Sequence, residues 1–85
     1  MPAPADAPPA AQPPVSIEVA LPITLGQFVK LAGFALTGGD AKRLVVSGLV
    51  LLNGRIEQRR GHRLSPGDVV EAAGAAARVA VSDQR

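Results

Sequence analysis

The stretch Thr37–Gly54, TGGDAKRLVVSGLVLLNG, decides how this chain folds. Thr37 is a good helix N-cap by type, and Asp40, three residues on, gives a short-armed capping box with a carboxylate at the positive end of the helix. Ala41, Leu44, Val45 and Gly48 fall at i, i+3, i+4 and i+7 on one face, while Arg43 and Val46 point the other way and Lys42 sits on the flank. The two cations are therefore displayed to solvent. Gly48 is the expected stop, since a residue without Cβ can take the left-handed conformation that ends helices. A strand is expected to follow at once over Leu49–Leu52. Asn53-Gly54 is a strong short-range hairpin signal, and a type I′ turn there pairs Leu51 with Ile56 and Leu52 with Arg55.

Towards the amino terminus, Val15, Ile17, Val19 and Leu21 alternate with Ser16, Glu18 and Ala20, the periodicity of a strand with one buried face. Pro22 closes it. Thr24 and Gln27 form a capping box for a first helix, whose apolar stripe is Leu25, Phe28, Val29 and Ala32 and which stops near Gly33. Phe34 and Leu36, in the short connection, are expected to pack under the second helix. Towards the carboxyl terminus, Arg59-Arg60-Gly61-His62-Arg63 is an irregular basic connection, and Ser65-Pro66-Gly67-Asp68 fits a type II turn. Val69–Ala72 reads as a strand, Ala73-Gly74 as the next turn, and 77–81 as a last strand that can lie beside the amino-terminal one.

Eighty-five residues allow one domain with a modest core. Residues 1–14 hold six of the eight prolines, five alanines and one charge, Asp6. That composition cannot offset its ordering entropy, so we expect a disordered tail over 1–14, a single domain over 15–82 and a frayed end over 83–85. The chain has no cysteine, which leaves neither a disulfide framework nor a thiolate zinc site. The amino terminus lacks a basic region followed by an uninterrupted apolar run, and no segment approaches membrane-spanning length. These features read as a soluble, cytoplasmic protein.

Net charge is +2, but its distribution matters more. Between Ile23 and Gly74 there are seven cations against four anions, and four arginines crowd into Arg55–Arg63. A local basic patch on a small domain favours an anionic partner, with nucleic acid first among candidates. Periodicity places Lys42 and Arg43 in one row and Arg55, Arg59, Arg60 and Arg63 in another, with Lys30 extending the first; the two rows suit phosphates on either side of a shallow groove. The amides of Gly38 and Gly39, at the positive end of the second helix, offer one further phosphate contact. Asn53 at the turn and His62 in the basic connection are secondary candidates.

Catalysis finds little to work with. His62 is the sole histidine, with no nucleophile or carboxylate arranged around it in sequence. Asp40 and Asp68 are explained as cap and turn residues, and Gly38-Gly39 is not followed by the lysine and hydroxyl of a phosphate-binding loop. No cofactor, metal site or small-molecule substrate is expected. There is no Trp or Tyr, and Phe28 and Phe34 fall at core positions, which argues against a single-strand binder that stacks bases on aromatics.

The order of these features resembles the RNA-binding domain named after ribosomal protein S-four, the alpha-L motif. The carrying residues are Gly39-Asp40-Ala41-Lys42-Arg43-Leu44-Val45, Gly48, Val50-Leu51-Leu52-Asn53-Gly54-Arg55 and Pro66-Gly67-Asp68-Val69-Val70. Thr37-Gly38-Gly39, Glu57-x-Arg59-Arg60 and Ala73-Gly74 are similar to the small standalone bacterial YbcJ-like subgroup. Many members carry Ser-Arg-Arg or Ser-Arg-Ser at 37–39, so one cationic position is missing here. The resemblance implies structured RNA, ribosomal or transfer, as the partner. We therefore expect an α+β domain, two helices packed on a small, mostly antiparallel sheet, that binds structured RNA as a monomer and without catalysis. The alternative is a protein–protein interaction module using exposed Val46 and the sheet edge.

Overall fold

The computed structural model describes residues 14–81. The expected disordered tail over 1–14, apart from Pro14, and the frayed carboxyl end lie outside the described residues. The elements run β1 (Val15–Val19), α1 (Leu25–Leu31), α2 (Gly38–Val46), β2 (Leu51–Leu52), β3 (Arg55–Ile56), β4 (Val69–Ala72) and β5 (Ala75–Val81). The five strands form one sheet in the order β1-β5-β4-β2-β3. Only β1 and β5 are parallel, with Val15 opposite Ala77 and Val19 opposite Val81; the other three pairings are antiparallel. This is the expected α+β arrangement of two helices on a mostly antiparallel sheet.

Local chemistry accounts for each boundary. In α1 the Thr24 side chain accepts from the Gln27 N–H and the Gln27 side chain accepts from the Thr24 N–H, a complete capping box. In α2 only half of it forms: Thr37 Oγ1 accepts from the Asp40 N–H over 3.0 Å. The Asp40 carboxylate is too short to reach back and lies 3.7 Å from Arg43. Both helices end in the same way. Gly33 and Gly48 take positive φ, their N–H groups bond Lys30 O and Val45 O, and the following Phe34 and Leu49 N–H groups bond Val29 O and Leu44 O. The Asn53-Gly54 turn has positive φ at both central residues, 52° and 85°, and pairs Leu51 with Ile56 and Leu52 with Arg55, as the turn chemistry requires.

The core is filled by Leu25, Phe28 and Val29 from α1, Ala41 and Val45 from α2, and Val70, Ala72, Ala77 and Val79 from the sheet. Val19, Ile23, Val50 and Leu64 complete it, and no buried side chain among the described residues is polar or charged. Phe28 is fully buried and Phe34 packs against the cluster, so both phenylalanines serve packing.

Besides the half-formed capping box of α2, four expectations need correction. Leu36 does not pack under α2; it is 89% exposed. It immediately precedes the extended N-cap Thr37, and Phe34 alone is drawn inward, by the hydrogen bond that closes α1. The alternation of β1 buries Val19 and half-buries Ile17, but Val15 and Leu21 stay exposed, because β1 is an edge strand and Leu21 lies beyond its end. Leu49 is not in a strand: its N–H is spent closing α2, so β2 begins only at Leu51. The last strand starts two residues earlier than read, at Ala75, where it pairs with Ala72 across the turn.

Candidate nucleic-acid interface

The basic connection between β3 and β4 passes the start of α1 and is bound to it. The Leu25 and Gly26 N–H groups donate to the carbonyls of His62 and Arg60 over 2.8 and 2.9 Å. These are two of the orphan donors that a helix start leaves over, so the first turn of α1 is used to hold the connection rather than to attract an anion. Thr24 pairs with Arg63 through a single β-bridge, and the Leu64 N–H donates to Ile23 O.

This attachment forms an open depression of about 590 Å³ lined by Thr24, Gly26, Gln27, Lys30, Gly38, Lys42, Arg60 and Gly61. Three of the expected cations therefore share one site: Lys30 from α1, Lys42 from α2 and Arg60 from the connection. Gly38 opens α2 on the same rim; Asp40 and Ala41 bond back to Thr37, while the Gly38 and Gly39 N–H groups have no bond among the described residues. Lys42 also lines a neighbouring depression with Gly39, Arg43, Val46 and Ser47. Arg43 is 83% exposed, and its 3.7 Å contact with Asp40 is a weak surface ion pair, so it keeps its charge available on that side.

The remaining candidates are not gathered into either depression. Arg55 sits on β3, the outer strand, and Arg63 lies exposed beside Thr24. Arg59 is paired at the surface: its side chain is 75% exposed, its Nε and Nη2 donate to Glu57 Oε2 and Oε1, and its backbone N–H donates to Glu57 Oε2. These hydrogen bonds, the side-chain ones first, hold the Glu57 carboxyl at about 2, well below its ordinary 4.5, so the acid stays ionised opposite Arg59 at any physiological pH. Asn53 is likewise committed. Its Nδ2 donates to Asp68 Oδ1 and its Oδ1 accepts from the Val69 N–H, knitting the hairpin turn to β4. Asp68 in turn accepts from the Ser65 N–H over 2.7 Å, which is the turn role expected of it. His62 is half-buried, and its carbonyl is engaged by Leu25.

Thr24, Gly26, Gln27 and Gly61 line the depression without having been marked as site residues. One signal was available. Gly26, in the first turn of a helix that has no need of a glycine there, marks a close approach.

A folded RNA strand presents phosphates at fixed spacing, and three cations on three elements around an aromatic-free hollow suit backbone and shape recognition rather than base stacking. Two helices on a mixed sheet, with a basic hollow between the helix starts and the following loop, make a small α+β domain that offers cations to an anionic partner. The S4 domain model matches residues 15–80, and the chain belongs to that family. Over 61 residues it is 48% identical to the probable ribosome maturation protein RlbA of Bacillus subtilis (strain 168), covering 72% of this chain and 84% of that protein. The fold is similar to the solution structure of YbcJ from E. coli, described as an alpha-L motif involved in RNA binding, with a TM-score of 0.61, 24% identity and coverage of 81% of this chain and 90% of that one. It also matches part of the 30S ribosomal protein S4e from Thermoplasma acidophilum, at a TM-score of 0.50 and 24% identity, over 65% of this chain and 27% of the larger one. No helix among the described residues is long and apolar enough to cross a membrane.

Proposed function

We propose that this chain is a non-catalytic, cytoplasmic binder of structured RNA that acts as a monomer on ribosomal RNA, with Lys30, Lys42 and Arg60 as the central phosphate contacts. The observation that carries this reading is the shared depression lined by those three cations and by the exposed start of α2. Arg43 extends the contact along α2, and Arg55 and Arg63 add peripheral charge. The family, together with the ribosome-maturation name of the Bacillus relative, supports ribosomal RNA over other structured RNAs. Gly38 and Gly39 serve as amide donors at the positive end of α2.

The test is direct titration of labelled ribosomal RNA hairpins and transfer RNA. Lys42→Glu should weaken binding about tenfold or more while leaving the fold intact, because one attractive contact becomes a repulsive one. Binding that is indifferent to Lys42→Glu would remove the depression from the interface. One observation favours a second reading as a protein–protein module: Val46, Leu49 and Ile56 are 51%, 62% and 62% exposed near the outer strand. Leu49→Glu, which lies outside both depressions, should leave RNA affinity unchanged on the first reading and abolish partner binding on the second.

A further inference from the structure

The connection 57–63 is tied to both helices it passes. At the end of α2, Gln58 Nε2 donates to the Val46 carbonyl over 2.9 Å, one of the last-turn carbonyls that have no partner inside a helix. At the start of α1, the Leu25 and Gly26 N–H groups hold the carbonyls of His62 and Arg60. Between these anchors the His62 N–H donates to Arg59 O, and Glu57 grips Arg59. The connection thus spans from the carboxyl end of one helix to the amino end of the other, with Arg60 at the second anchor.

Gly26 lets that anchor sit at close range. A Cβ at position 26 would lie 3.3 Å from the Arg60 Cβ and 3.4 Å from its carbonyl oxygen, so the connection would have to give by a few tenths of an ångström. Glycine is a poor helix former, and the φ of Gly26 is not among the positive values that demand it. The steric demand comes from Arg60 alone. Gln58, an exposed residue, spends its amide on the backbone rather than on water.

The geometry points to Gly26 and Gln58 as positioning residues that fix the backbone of Arg60 beside Lys30 and Lys42, so that the cation cluster exists before RNA arrives. The inference rests on the RNA-binding reading above. A connection ordered only on binding would lose conformational entropy at that step, and holding it in place beforehand removes the loss. Neither residue supplies a charge; both act through Arg60.

The experiment is fluorescence anisotropy of the full chain with a labelled ribosomal RNA hairpin at several salt concentrations, with thermal melts in parallel. It compares wild type, Gly26→Ala, Gln58→Ala, Arg60→Ala and the two double variants that combine each positioning change with Arg60→Ala. Gly26→Ala and Gln58→Ala should each weaken binding about three- to tenfold, one charge-assisted contact or part of it. Each should lower the salt slope by up to about 0.7 to 0.9, the value of one phosphate contact. Both effects should vanish once Arg60 is alanine, since a positioning residue has nothing left to position. Penalties that persist in full in the Arg60→Ala background would overturn the positioning role while leaving RNA binding in place. Wild-type protein that binds no RNA at low salt would overturn the RNA-binding reading, and the inference with it. If Gly26→Ala fails to fold, Gln58→Ala carries the same cycle.

Discussion

Arg59 shares its guanidinium with Glu57, whereas Arg60, next in sequence, has no ion pair among the described residues and borders the depression with Lys30 and Lys42. The two should respond differently to truncation. Arg60→Ala is expected to reduce RNA affinity about tenfold and the salt slope by about 0.7 to 0.9, while Arg59→Ala changes either by much less; equal losses in a salt-dependent titration would contradict that division. Glu57 supplies a pH signature. Its carboxyl moves from an ordinary 4.5 to about 2 on folding, so its contribution to stability is complete above pH 4.5 and is lost as pH falls through 2. Melts of wild type and Glu57→Gln should differ at pH 7 and converge near pH 2, and a gap that stays constant with pH would contradict the pairing. The basic run was plain in the sequence, but which arginine was neutralised was not. Glu57 and Arg59 lie two apart in an irregular segment, where no periodicity says which side chains meet. Asn53 is half such a case: turn chemistry accounts for its positive φ, but its side-chain bonds to Asp68 and the Val69 N–H reach fifteen and sixteen residues along the chain and leave no local signal.

At the scale of elements, the segments with their own local chemistry were readable. The two caps, the glycine stops and the Asn53-Gly54 turn all depend on residues within a few positions of one another, and the structure has them where the sequence put them. Val15 and Leu36 were misread because whether an apolar side chain is covered depends on what packs around it, which leaves no local pattern, whereas the release of Leu49 from the strand follows from the same glycine stop that closes α2 and was legible in principle. The gathering of Lys30, Lys42 and Arg60 was only half visible for the same reason: it depends on α1 holding a connection more than thirty residues away in sequence. Gly54→Ala should cost about 1 kcal/mol, since φ is +85° there and no L side chain adopts it comfortably. Gly38→Ala should do the reverse. A Cβ there meets nothing within 4 Å and φ is not positive, so the reduced freedom of the unfolded chain, worth about 0.4 to 1 kcal/mol, should appear as a higher melting temperature. If phosphate approaches that amide, RNA affinity falls in the same variant; a stabilised protein with undiminished affinity would take Gly38 out of the contact.

The molecule as a whole is small, with thirteen buried apolar residues and no buried charge among those described. Phe28, at its centre, is fully enclosed, and Phe28→Ala should cost about 3 to 5 kcal/mol, a large part of the 5 to 15 kcal/mol that such domains possess. Surface charge changes carry no such cost, which is why function and stability can be separated here by mutation. The central claim is that cations from α1, α2 and the following connection form one RNA-binding surface. Its most direct test is titration of the purified chain against a labelled ribosomal RNA hairpin across a salt series, wild type beside the triple variant Lys30→Ala/Lys42→Ala/Arg60→Ala. The account predicts affinity that falls linearly on logarithmic axes, with a slope lowered by about 2 to 3 in a variant that melts like wild type. A folded triple variant that binds with unchanged slope, or a wild type that binds no RNA at low salt, would contradict it.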